Sequence, residues 1–186
     1  MLIAEQKKKE NIAEYILYMW QMEDLLRGCE LNLEKVMRKI FPDDNSEDEL
    51  ALEYQNWFSS LIDEMNKNGL QKEGHLSTVK QYMKSLEDLH RSMLTTFQDE
   101  RYKEFYRETA EHINLLKEKN TSEQIGDVET CLTGLYGLML LKIKQAQISK
   151  DTLAAMEKIG KMIAYLSANF NKLKSGALKL PVEMNN

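Results

Sequence analysis

Proline is nearly absent from this chain. Its two prolines, Pro42 and Pro181, leave residues 43–180 free of the residue that a helix interior tolerates least. Only eight glycines are spread over 186 residues, so few positions force a break. Apolar residues recur at helical spacing almost throughout, and no segment shows the period of two that marks a strand. The expected class is therefore all-α: a bundle of six or seven helices, mostly antiparallel neighbours. One domain is expected over residues 1–175, and 176–186 read as a mobile C-terminal tail. A chain of this length buries a sizeable core without disulfides or metals.

Local signals set the expected boundaries. A first helix spans 2–27, with Gly28 near its end, and a short one spans 31–40, ahead of Pro42. Ser46 and Glu49 have capping-box spacing, which predicts a helix start there and a third helix running to about 68, stopped by Gly69. "GLQKEGH" reads as a loop. Helices are then expected at 77–97 and 99–119, either continuous or kinked. Thr121 with Gln124, and less closely Asn120 with Glu123, again have capping-box spacing. They open a helix that runs to about 147, and the last helix spans 150–174.

Charge and cysteine content narrow the function classes. The formal net charge is −5, whereas a duplex-binding domain usually carries a basic face. Lys7, Lys8 and Lys9 are flanked by Glu5 and Glu10 and read as a solvated helix face. Neither a nucleic-acid partner nor a membrane is expected: the apolar run 15–20 is too short to span a bilayer. Cys29 and Cys131 have no CxxC spacing and read as reduced core residues. The N-terminus lacks the apolar stretch of a secretory signal, so the expected location is the cytoplasm.

A few polar residues sit where apolar ones are expected. On a wheel of residues 12–29, Glu14, Gln21 and Asp24 form a wet edge, but Glu23 and Arg27 fall inside the apolar arc near Trp20. Glu23 precedes Arg27 by four residues, the favourable order for an ion pair. Such a pair would spare a buried charge its desolvation cost. Glu129 falls likewise in the apolar face of the helix carrying Tyr136, where it could meet Arg27. Gly126, Thr130, Gly134 and Gly137 form a strip of small residues that lets a neighbouring helix approach. Glu87 and His90 make one ExxH, but a di-iron bundle needs two such pairs and two further glutamates. His90 therefore reads first as a hydrogen-bonded core histidine. His112 misses the pattern and His75 lies in the loop. No nucleophile motif, P-loop or HExxH occurs. No catalytic residue, metal or cofactor is expected.

Three stretches, "ENIAEYILYMWQMEDLLR", "GHLSTVKQYMKSLEDLH" and "DVETCLTGLYGLMLLKIK", resemble an uncharacterised all-helical family from Bacteroidetes bacteria, catalogued as a domain of unknown function. Tyr18, Trp20, Glu23, Asp24 and Leu25 are the most specific part, followed by Cys131, Leu132, Leu135, Tyr136 and Gly137. The resemblance covers about residues 1–175. It implies a cytoplasmic helical domain and no activity.

The leading functional expectation is a non-enzymatic structural or interaction protein that self-associates through an apolar helix face. The alternative is a small-ligand or metal-binding bundle built on a polar cluster of Glu23, Arg27, Glu129 and His90, walled by Trp20 and Tyr136.

Overall fold

The structure, a computed structural model, describes residues 2–42, 49–119 and 125–178. Among them are eight helices and no strand: α1 (Leu2–Glu10), α2 (Ile12–Gly28), α3 (Leu33–Ile40), α4 (Glu49–Lys67), α5 (Ser77–Thr95), α6 (Glu100–Lys119), α7 (Asp127–Ile143) and α8 (Lys150–Lys174). The all-α class agrees with the apolar spacing.

The expected count of six or seven is low because the first helix breaks at Asn11. The Asn11 side chain accepts the Ala13 amide at 3.1 Å, as an N-cap does, and starts α2 afresh. Side chains of α8 hold the break. Ser167 donates to Asn11 Oδ1 at 2.6 Å, and Asn171 donates to the carbonyls of Lys9 and Glu10 at 3.3 and 2.8 Å. The carbonyls and amides freed by the break thus have partners, which makes it tolerable.

Other boundaries follow their caps. Asn32 and Ser149 cap α3 and α8 by accepting Lys35 and Thr152 amides. After α4, Gly69 takes φ +68°, the Leu70 amide returns to Met65 and the Gly69 amide to Asn66. That paired closure needs a left-handed residue, which glycine supplies without strain. α5 and α6 are separate helices. Gln98 at φ +49° turns the chain, and Asp99 caps α6 by accepting the Tyr102 amide at 2.8 Å. α7 stops at Ile143, short of the expected 147, because Gln145 takes φ +53°. Ser46, Asn120, Thr121, Glu123 and Gln124, all named as capping residues above, lie outside the described residues, as do 179–186 of the expected tail.

The chain divides into two compact units. The first comprises Met1–Lys8 and Glu14–Gln81. In it α3 packs on α4, and Ile16, Leu26, Val36, Phe58, Met65 and Val79 are inaccessible to solvent. The second comprises Lys9–Ala13 and Tyr82–Asn186. In it α6, α7 and α8 pack on one another, and Leu86, Tyr102, Leu132, Ile159, Met162 and Leu166 are inaccessible. Among the described residues no helix is long and apolar enough to cross a membrane.

Candidate functional site

In the first unit, the polar residues of α2 converge on the connection between α4 and α5. Glu23 is completely buried. Its Oε1 accepts the Leu76 amide at 2.8 Å, and its Oε2 lies 2.6 Å from Nδ1 of His75. The His75 ring stacks on Trp20, with centroids 4.8 Å apart and planes 18° from parallel. Arg27 donates from Nε to the Leu70 carbonyl at 3.1 Å, from Nη2 to the Gly74 carbonyl, and from Nη1 to Asp24 at 3.1 Å.

The expected Glu23–Arg27 pair is therefore not formed. A loop brings carbonyls and amides with no ladder partner, and those groups demand donors and acceptors. Arg27 supplies its fork to two carbonyls, while Glu23 supplies its oxygens to an amide and an imidazole. Both charges are spent on the loop rather than on each other. The partner of Glu23 is instead His75, a loop residue 52 positions along the chain.

In the second unit, the centre is Asp127, in the first turn of α7. Its Oδ2 accepts the Tyr106 hydroxyl at 2.6 Å, its Oδ1 meets Lys117 Nζ, and His90 Nε2 stands 3.7 Å away. That last distance is an electrostatic approach rather than a hydrogen bond. On its other side, His90 Nδ1 shares a 2.7 Å hydrogen bond with the Tyr102 hydroxyl. The His90 imidazole beside Asp127 holds its carboxyl well below the usual range, against the opposing effect of burial and with help from Lys117 and Tyr106. Burial, then the hydrogen bond to Asp127, pushes the Tyr106 hydroxyl up to about 12. Burial raises Tyr102 and the Cys131 thiol further still. These hydroxyls and this thiol stay protonated, so none is an activated nucleophile.

The ExxH motif is split between two tasks. His90 joins the Asp127 network. Glu87 Oε2 accepts the Val128 amide at 3.0 Å and closes the start of α7, whose own N-cap is Gly126 with no side chain to offer. Among the described residues no group of three or more His, Cys, Asp or Glu is placed to hold a metal ion. Glu129 and Tyr136 are half-buried on α7. Trp20, Glu23 and Arg27 thus meet the loop residues 70–76 in one unit, while His90, Glu129 and Tyr136 belong to the other.

The strip of small residues has two fates. Gly126 admits the Glu87 carboxylate. Further along, Thr130, Gly134 and Gly137 line a groove of about 300 Å³ with Leu138 and Leu141 of α7, Leu116 and Lys119 of α6, and Thr152 and Met156 of α8. Leu116 and Met156 approach Gly134 closely, but nothing stands over Gly137. In the groove wall Leu141 is 41% exposed, and at the end of α7 Ile143 is 68% exposed.

A family model described as Domain of unknown function (DUF4924) matches residues 1–177. The chain belongs to the DUF4924 family. No curated protein and no solved structure matches it. What a DUF4924 chain does must therefore be read from its own surfaces. Its polar clusters are engaged in holding a loop and a helix start, which leaves the α7 groove as the candidate site.

Proposed function

We propose that the protein is a non-enzymatic, cytoplasmic interaction protein that pairs with a second copy of itself through the far half of α7. The observation that carries this reading is the burial pattern of α7. From Leu135 to Ile143 it is apolar except for Gly137 and Lys142, and no residue among 134–143 is fully buried. A helix apolar on all sides belongs inside a core, so a half-covered one calls for a further surface.

Shape and charge both favour a second copy. Gly137, over which nothing stands, makes the hollow, and Leu141, four residues further on, makes the ridge beside it. Residues four apart share a helix face. An antiparallel two-fold pairing therefore seats the ridge of each copy in the hollow of the other. α7 is acidic in its first turn, at Asp127 and Glu129, and basic in its last, at Lys142. The antiparallel arrangement opposes the two helix dipoles, the favourable order for neighbouring helices.

Sedimentation equilibrium at about 50 μM, a concentration at which a micromolar dimer populates well, tests the pairing. Twice the chain mass of 21.7 kDa is expected, with Leu141→Glu returning the protein to monomer while helical circular dichroism is unchanged. A monomer at that concentration, or a dimer indifferent to Leu141→Glu, overturns the reading. Native mass spectrometry showing a retained small molecule and a monomer would instead favour a ligand-binding bundle using the same groove, whose volume suits a small ligand.

A further inference from the structure

We propose that Glu23 and His75 form a proton-operated catch on the connection between α4 and α5, tight when His75 is charged and loose when it is neutral. Glu23 is fully buried, and a buried carboxylate needs a countercharge. The groups that face it are few. One oxygen takes the neutral Leu76 amide and the other the His75 imidazole. From α2, Arg27 is directed to Asp24 and to the carbonyls of Leu70 and Gly74, and Asp24 faces Arg27 in turn. From α4, Glu64 accepts the Ser77 amide and hydroxyl at 3.0 and 2.5 Å. Lys72 and Glu73 on the loop are exposed. Among the described residues His75 is thus the titratable side chain hydrogen-bonded to the buried carboxylate, and it keeps 29% of its surface open to water.

The proton therefore has a route in and out. With it, the Glu23–His75 contact joins opposite charges. Without it, the imidazole still donates from Nδ1 to the carboxylate, but the attraction between opposite charges is gone. The same carboxylate holds the Leu76 amide one residue before α5 begins. Charge on His75 is in this way coupled to the order of residues 70–77.

Amide hydrogen exchange on the full chain, corrected for intrinsic rates, tests it at pH 5.5 and 8.0. Protection of the Leu76 amide, which Glu23 holds, is expected to fall about tenfold from the lower pH to the higher, as the contact between opposite charges is lost. His75→Asn retains a neutral donor near the Nδ1 position, and in that variant the fall should vanish while the rest of the pattern stays. Equal protection at both pH values in the wild type overturns the catch, as does an equal fall in His75→Asn. The half-exposed loop position of His75 lets the variant fold, and unchanged exchange in α6–α8 verifies that it has.

Discussion

Gly126 is the position where one added carbon has a calculable effect. A Cβ there would stand 2.5 Å from Glu87 Oε2 and 2.6 Å from its carboxyl carbon, closer than unbonded atoms approach. The backbone of Gly126, at φ −65° and ψ 166°, suits alanine well. The cost of Gly126→Ala is therefore not backbone strain but displacement of the Glu87 carboxylate. The Val128 amide then loses its charged acceptor, worth about 1.5 kcal/mol. The start of α7 loses a favourable negative charge, worth about 0.5 kcal/mol. Alanine is also a poorer N-cap than glycine by about 0.5 kcal/mol. The sum of about 2.5 kcal/mol corresponds to a fall in Tm of roughly 5–10 °C for a chain of this size. Urea unfolding of a double-mutant cycle with Glu87→Ala isolates the contact. Glu87→Ala alone should cost about 2 kcal/mol, and Gly126→Ala added to it only about 0.5 more, because the carboxylate is already gone. Gly126→Ser should lose less than Gly126→Ala, since serine brings its own cap. Additive effects, with Gly126→Ala costing the same in both backgrounds, would refute the role of Glu87 at this helix start.

Two further outcomes are expected. Asp127→Asn should destabilise by about 2–3 kcal/mol at pH 7, since it leaves Lys117 facing a neutral group in a partly buried site. The folded carboxyl is held low, so its stabilisation is complete above the ordinary Asp value of about 4 and is lost as pH falls below it; urea midpoints of wild type and variant should therefore converge toward pH 2. Cys29 and Cys131 are buried, 5% and 0% exposed, so both should resist a thiol reagent in the native protein and react when it is unfolded in guanidinium; rapid native labelling of Cys131 would contradict its enclosure.

Helix identity was legible in the sequence wherever a local signal set it. Gly69 and the Ser149-led start of the last helix are short-range features, and both ends fall where the residues place them. The break at Asn11 was not legible, because residues of α8 far along the chain support it. The polar sites divide the same way. The intrusion of Glu23, Arg27 and His90 into apolar faces marked them as residues in need of partners, and each has them. The partners themselves were hidden: Glu23 meets His75 across 52 positions, and Glu87 meets Val128 across 41. A helical wheel reports which way a side chain leaves its own helix and carries no information on what arrives from another. The i,i+4 rule accordingly favoured Arg27 for Glu23, where a loop with unmet backbone groups outcompeted it.

The polar tie at Asn11 also orders events during synthesis. Asn11 and Ser167 are 156 positions apart, and the Lys9 carbonyl waits for Asn171. At about 5–20 residues per second, a ribosome needs roughly 8–30 s to deliver the second partner after the first. For that interval the break at Asn11 rests on its local cap alone, and its supports from α8 arrive only when the last helix of the described chain has been made.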